Sequence, residues 1–460
     1  MSKYHAPLFV LFILALVATV HVQAATYPSG NPRTTDNDDS CDISLLPAAT
    51  LLLPYFEVDT ISQSGETTLI TITNTSNAEQ AVHIVLWTDW GYPVIDFNIY
   101  LTGYDVQSLN LYDVVALGQI APTRGTGFED GGSPVGELSK GNVRVDEETC
   151  RSLTMQVPDI YRQRMQEAFI NGRVPAIGNL PACTAAGSPR ASRPNGHAIG
   201  YATIDVVSSC APGTHEDQDY YDRLLFDNVL VGDYHQVNAV GRNAQASPLV
   251  HIRAVPEGGT PATRTATNLK RTFYSRHQSG AATNRDARQP LPSTFGARWI
   301  EGGTGHFQTD FKIWREAAPG PNPACDAYVA TSRMQVTELV RFDEEENFVV
   351  ITSDESDQLE TLFAELPAAS LVDTADDVFP PNALGAVAGW VYVNLDSPRG
   401  ERSFARQAWM VASMRAEGRY SGYADAIALG NGCSPRVGES EAAAIGTGTA
   451  VMGPAPNPTP

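Results

Sequence analysis

The sequence has few cysteines, and they lack metal-binding or redox spacing. Six occur in 460 residues, and no two form a C-x-x-C pair. This absence argues against zinc ribbons and thioredoxin-like chemistry. In an exported chain an even number of cysteines predicts three disulfides, whose connectivity the sequence does not determine. Pairing in order is the arrangement we favour, because it links segments of one module: Cys41 with Cys150, Cys183 with Cys210, and Cys325 with Cys433.

Basic side chains are also scarce. The chain has 31 Lys and Arg against 52 Asp and Glu, which gives a formal net charge of −21. Such a field repels nucleic acid and anionic membrane surfaces and favours cations. It also keeps a protein soluble without any further role. We therefore expect no nucleic-acid partner.

Hydrolase motifs are missing as well. The chain has no G-x-S-x-G elbow, and the similar GRYSG at 418–422 has the wrong spacing and predicts a corner. His215 begins a stretch like H-E-x-x-H, but Asp219 stands where the second histidine belongs. The other histidines lack ligand spacing. The sequence therefore favours a non-enzymatic protein over an enzyme.

One long apolar run is present, at the N-terminus. Lys3 precedes the apolar residues 8–20, and small residues before Ala25 provide a cleavage site. This pattern predicts a signal peptide at 1–24 and export to the periplasm, cell surface or medium. The run is too short to span a bilayer, and no second one follows, so no transmembrane span is expected.

Short alternating strands dominate the rest of the chain. Alternation at 95–102 places Phe97 in a core and Asn98 in solvent, as in a sandwich whose sheets each have one solvent-facing side. Pro54 marks an edge or a bulge of its strand. The predicted core face of the first module includes Ile70, Ile72, Ile84, Phe97 and Ile99.

The predicted fold class is mostly β, with two β-sandwich-like modules, an irregular middle region and one short amphipathic helix. The helix covers 159–171, stops at Gly172 and carries Ile160, Tyr161, Met165, Ala168 and Phe169 on one face. The predicted segments are a signal peptide (1–24), a flexible leader (25–40), an N-terminal sandwich (41–150), a β-rich middle region with one helix and long loops (151–294), a C-terminal β-rich module (295–434) and a disordered tail (435–460).

Several sequence blocks carry a resemblance. TTLITITNTSNAEQAVHIVL at 67–86 resembles the opening hairpin of immunoglobulin-like modules in bacterial exported proteins. LLLPYFEVD at 51–59, LWTDWGYPVIDFNIYLTGYDVQ at 86–107, ARWIEGGTG at 297–305, RFDEEEN at 341–347 and AEGRYSGYADAIALGNGCS at 416–434 resemble a group of exported bacterial proteins known only as hypothetical. The resemblance implies export and an immunoglobulin-like N-terminal module, and it implies no activity.

Two binding sites are conceivable. Four carboxylates crowd a predicted loop, and calcium prefers several hard oxygens, although the spacing is not that of an EF-hand. These residues are Glu216, Asp217, Asp219 and Asp222. Trp87 and Trp90 could stack on sugar rings, although strand tryptophans also pack in cores, and their opposite parity would expose one of them at most.

The sequence thus predicts an exported, non-enzymatic protein with a structural or interaction role, whose partner would be an envelope or extracellular protein or glycan. The alternative is a secreted hydrolase or glycan-binding protein with its site in the loops. No cofactor is expected other than the possible calcium.

Overall fold

The computed structural model describes most of the chain between residues 45 and 430. The described residues are 45–89, 91–120, 156–178, 182–184, 196–210, 218–255, 257–261, 272–274, 285–304, 306–315, 338–352, 368–373, 385–395, 407–416 and 420–430.

Strands make up most of the described chain. They are β1 (Thr50–Asp59), β2 (Glu66–Asn74), β3 (Gln80–Thr88), β4 (Pro93–Leu101), β5 (Val106–Asn110), β6 (Arg173–Val174), β7 (Cys183–Thr184), β8 (His197–Val207), β9 (Leu230–Asn238), β10 (Asn243–Pro248), β11 (Val250–Ile252), β12 (Thr294–Ile300), β13 (Phe307–Arg315), β14 (Glu338–Asp343), β15 (Phe348–Thr352), β16 (Ala368–Asp373), β17 (Ala388–Asn394), β18 (Ala408–Ala416), β19 (Tyr420–Asp425) and β20 (Ile427–Gly430). The helices are a π-helical segment (Asp113–Leu117), α1 (Asp159–Asn171) and α2 (Gln218–Arg223).

The first sandwich contains two antiparallel sheets. One has the order β11-β1-β8-β3-β4 and the other β10-β9-β2-β5. The sheets therefore combine strands of the predicted N-terminal module, 41–150, with four strands of the predicted middle region, 151–294. Strand β8 pairs with β1 on one side and with β3 on the other, although both lie far from it along the chain.

The second sandwich is built in the same way from the remaining strands. Its antiparallel sheets have the orders β15-β14-β17-β12-β20 and β16-β13-β18-β19. Their inner faces meet through Phe295 of β12, Phe311 of β13 and Met410 of β18. The predicted fold class is confirmed: the protein is mostly β, with several antiparallel sheets and few helices.

The alternation in the first sandwich places its core as predicted. Ile70, Ile72, Ile84, Phe97 and Ile99 are all buried in one apolar cluster between the sheets. The residues on the opposite side of these strands differ from the prediction, because the outer face of the sheet β11-β1-β8-β3-β4 is buried as well. Asn98, predicted to face solvent, is only 5% exposed, and its Oδ1 lies 2.8 Å from Nδ1 of His83.

The predicted helix agrees in its bounds with α1, which Gly172 ends in a left-handed conformation. Its buried side differs in part from the prediction. Met165, Ala168 and Phe169 are buried, whereas Ile160 and Tyr161 in the first turn are exposed. The first turn extends beyond the region that the sandwich covers, so helical periodicity alone overestimated the apolar face.

Pro54 lies at a bulge, as one of the two predicted alternatives required. The register of β1 against β8 shifts between Leu53 and Phe56. Proline has no N–H to donate to a neighbouring strand, and a bulge accommodates that loss inside a sheet.

A second apolar cluster joins the two sandwiches. It contains Leu52, Trp87 and Tyr201 of the first together with Trp314 and Trp409 of the second. The two sandwiches accordingly belong to one compact unit of the described residues. No helix in the described residues is long and apolar enough to cross a membrane.

Candidate functional site

A cluster of polar side chains lies where the second sandwich meets the first. Strand β13 contributes a lysine, and strands β1, β2, β8 and β9 contribute its surroundings. We call it the inter-sandwich cluster, and its members are Tyr55, Glu57, Glu66, His197, Gln236 and Lys312.

Lys312 reaches this cluster because both faces of β13 are covered. Phe311 and Ile313 point into the second sandwich, so the side chain between them points the other way, towards the first. The side chain of Lys312 is 6% exposed, its Nζ donates a hydrogen bond to Oε1 of Gln236 at 2.6 Å, and it lies 4.2 Å from the ring centre of Tyr55. The lysine therefore bridges the two sandwiches.

Glu57 is the anionic centre of the cluster. Its carboxylate accepts a hydrogen bond from the Tyr55 hydroxyl at 2.7 Å and lies 2.6 Å from Nδ1 of His197. Burial raises the pKa of Glu57, but the hydrogen bond with His197, the charge of Lys312 and the hydrogen bond from Tyr55 outweigh burial and lower it. Glu57 is therefore ionised at neutral pH.

The other two titratable groups shift in the opposite sense. Burial, followed by the charge of Glu57, raises the pKa of Glu66, whose Oε2 accepts a hydrogen bond from Asn238. Burial lowers the pKa of Lys312 to about 8, against the pull of the neighbouring carboxylates. The cluster thus places a readily deprotonated amine beside a carboxamide and near a carboxyl group that protonates readily.

The ion pair between His197 and Glu57 gives stability a defined pH window. The hydrogen bond with Glu57 raises the pKa of His197 above 6.5, so its contribution is complete below pH 6.5 and is lost as the pH rises through the raised value. The lowered pKa of Glu57 makes its contribution complete above pH 4.5 and lost as the pH falls through the lowered value.

We therefore expect His197→Gln to destabilise the protein most between about pH 4.5 and 6.5 and progressively less above that range. Urea unfolding of the variant and the parent at several pH values measures this difference. His235→Gln is the control, because His235 is half exposed and its pairing with Asp233 is screened by solvent. A difference between His197→Gln and parent that is constant from pH 5 to 9, as for an uncharged contact, would contradict the expectation.

A second polar network is buried on the outer face of the sheet β11-β1-β8-β3-β4. Asp205 of β8 is 0% exposed. Its carboxylate accepts hydrogen bonds from Thr50 at 2.5 Å, Tyr220 at 2.5 Å and Tyr274 at 2.8 Å, and Arg288 Nη1 lies at 3.3 Å. Burial, followed by the charge of Asp205, raises the pKa of both tyrosines, so the phenols stay protonated as donors. Because its members are deeply buried, we interpret this network as structural.

The predicted calcium residues are placed only in part. Glu216 and Asp217 lie outside the described residues. Asp219 and Asp222 belong to α2, not to a loop, and Asp222 is exposed. The helix forms because Tyr220 and Tyr221 pack onto the sheet. Within the described ranges, no group of three His, Cys, Asp or Glu could hold a metal.

Calcium at this segment stays a prediction with a direct test. A ligand that binds only the folded state raises its thermal midpoint. If 216–222 binds calcium, millimolar calcium raises the midpoint of the parent and not of the variant with Asp217→Asn and Asp219→Asn. An unchanged midpoint of the parent would retire the site.

Trp87, predicted as a sugar-stacking residue, belongs to the core. It is 1% exposed, its Nε1 donates to Thr203 at 2.9 Å, and its ring stacks on Tyr201 with centres 5.6 Å apart. The second sandwich covers this face, so a sugar cannot reach the ring. Trp90 lies outside the described residues.

Two of the predicted disulfide cysteines are described. Cys183 and Cys210 are both buried and disulfide-bonded, and no described cysteine is free. Cys41, Cys150, Cys325 and Cys433 lie outside the described residues. The pairing in order stays a prediction.

A small cavity lies in the second sandwich, away from the inter-sandwich cluster. Its volume is about 10 Å³, which is room for about one water molecule, and its lining residues are Trp299, Ile300, Glu301, Thr309, Phe311, Arg341 and Val391. Small-molecule sites usually measure about 300–1,000 Å³. The guanidinium of Arg341 also covers the Trp299 ring at 3.7 Å and is paired with Glu301. We assign no site there.

Sequence reasoning missed the inter-sandwich cluster. Its six members come from five strands that are distant along the chain, and His197 looked like an ordinary strand or surface side chain. One local signal was present: Lys312 interrupts the apolar and aromatic run FKIW at 311–314. A lysine surrounded by such residues needs a partner when both faces of its strand are covered.

Comparisons with protein-family models, with curated proteins and with solved structures gave no match. The similarity to exported bacterial proteins therefore stays a prediction from the quoted blocks.

Proposed function

We propose that the chain is an exported, non-enzymatic protein of the cell envelope or extracellular space, with a structural or interaction role. The observation that carries this proposal is the apolar cluster shared by the two sandwiches, which contains Trp87 and Tyr201 from one and Trp314 from the other. A shared core favours a rigid body over two modules that move around a cleft. Rigidity suits a protein that must hold its shape outside the cytoplasm.

Hydrogen bonds across the same boundary support a fixed arrangement. Gln407, next to β18 of the second sandwich, donates to the backbone oxygen of buried Thr272. Thr272 lies beside Tyr274, whose hydroxyl donates to Asp205 of the first sandwich. Ser413 donates to Gln245 of the first sandwich at 3.1 Å. Breaking such buried contacts leaves polar groups unpaired, which disfavours opening.

The export part of the proposal is tested in the producing cell. We expect the mature protein to begin at Ala25 and to occur in the envelope fraction or the medium. N-terminal sequencing of fractionated cells measures both. Protein that retains residues 1–24 and stays in the cytoplasm would overturn this part.

The non-enzymatic part is tested on pure protein with ester, peptide and glycoside substrates. We expect no turnover above the level without protein. Hydrolysis that follows the protein through purification and disappears in Glu57→Gln would overturn this part and would identify the inter-sandwich cluster as an active site.

A further inference from the structure

Lys312 and Gln236 bring together the two functional groups of an amide-forming reaction. The lysine has only N–H donors, so the atom that it contacts at 2.6 Å is the carboxamide oxygen of Gln236. A carbon–oxygen double bond is about 1.2 Å long, so the carbonyl carbon lies at most about 3.8 Å from the amine nitrogen. This is close to the roughly 3–3.5 Å of a near-attack arrangement.

The nitrogen of the same carboxamide lacks the hydrogen bond that its oxygen has. Gln236 is 3% exposed, and within the described part of the chain its buried Nε2 has no hydrogen-bond partner. An unpaired buried amide nitrogen is costly in a folded protein. Loss of that nitrogen would remove the cost.

We propose that Lys312 and Gln236 form an intramolecular isopeptide bond that joins the two sandwiches covalently. The neutral amine attacks Cδ of Gln236 and a carbon–nitrogen bond forms. The bond between Cδ and Nε2 then breaks, and Nε2 leaves as ammonia with one proton taken from the amine. No oxidant or reductant is needed.

The surroundings supply the two conditions that this reaction requires. The first is an unprotonated amine, which the burial of Lys312 favours. The second is a group that carries the proton from the amine to the leaving nitrogen. We assign this role to Glu66, which faces Asn238 across the sheet, while Thr68 on the same strand faces Gln236. The raised pKa of Glu66 suits a group that accepts and returns a proton.

The exclusion of water makes the product durable. Tyr55 covers the lysine, and Lys312 and Gln236 are both almost fully buried, so hydrolysis of the new amide is hindered. The bond would connect β9 of the first sandwich to β13 of the second, 76 positions apart in the chain. The apolar contacts between the sandwiches would then be backed by a covalent link.

Mass spectrometry of the reduced mature protein from its native host tests the proposal. We expect an intact mass that is lower by one ammonia, about 17 Da, than the mass of the sequence from the N-terminal residue found by sequencing. Trypsin should not cleave after Lys312, and peptides 224–242 and 299–315 should appear as one linked species. Parent protein with the full mass of its mature sequence and with free cleavage after Lys312, also after incubation at pH 9, would overturn the proposal.

Three variants define the chemistry. Lys312→Arg should keep the positive charge and should not lose ammonia, because the guanidinium group stays protonated and is not a nucleophile. Gln245→Met removes another inter-sandwich carboxamide and should leave the ammonia loss intact. Ammonia loss that persists in Lys312→Arg would place the reaction elsewhere and overturn the assignment. Glu66→Gln should lower the linked fraction in fresh protein, and full linkage there would exclude Glu66 as the proton carrier.

Discussion

Asp205→Ala is expected to destabilise the protein by about 3–5 kcal/mol, since it removes one partner from a buried ionic network. The substitution removes the carboxylate that accepts hydrogen bonds from the hydroxyl groups of Tyr220 and Tyr274. It also takes one of the two carboxylates from Arg288, which is 1% exposed and keeps only Asp286. Each of these losses leaves a polar group in a place that water does not reach.

Urea unfolding followed by tryptophan fluorescence measures this effect. Asp222→Ala is the matched control, because Asp222 is an exposed aspartate of the neighbouring helix α2, and its removal should change stability by less than about 0.5 kcal/mol. Similar stabilities of the two variants would mean that the network contributes nothing.

Phe97→Ala is expected to cost about 3–5 kcal/mol, because it leaves a cavity between the two sheets of the first sandwich. Phe97 belongs to the same apolar cluster as Ile84, which lies directly opposite on β3. The packed neighbours can fill the space only partly.

Asn98→Ala is expected to cost about 1–3 kcal/mol, more than a solvent-facing asparagine would. Its removal leaves the buried His83 ring without the oxygen that lies 2.8 Å from Nδ1. Ser108→Ala on the exposed side of β5 is the control and should stay within about 0.5 kcal/mol of the parent. Thermal unfolding measures both effects. Equal thermal midpoints for Asn98→Ala and Ser108→Ala would mean that the outer face of β4 is open to solvent.

Alternation in a strand predicts which side faces the core, and it leaves the environment of the other side undetermined. The period of two at 95–101 identified the strand and the side that carries Phe97, because the core between paired sheets selects apolar residues at every second position. It assigned the opposite side, with Asn98, to solvent by default. That side is covered by residues from elsewhere in the chain, so the same polar residues became buried partners.

The sequence by itself determined the local elements. The end of α1 follows from Gly172, and Pro54 restricted its position to an edge or a bulge, of which β1 has the bulge. The mostly β fold follows from the many short alternating segments. Each of these properties depends on backbone geometry and on neighbours a few positions away.

Only the tertiary structure decided which segments meet. It placed β8 between β1 and β3, covered Trp87 with the second sandwich, and brought Lys312 of β13 to Gln236 of β9. Strand pairing and the covering of a sheet's second face depend on contacts between distant segments, and many pairings satisfy the same local pattern. The inter-sandwich cluster depends on those contacts. For that reason no sequence motif predicted it, and its one local signal was the lysine within an apolar run.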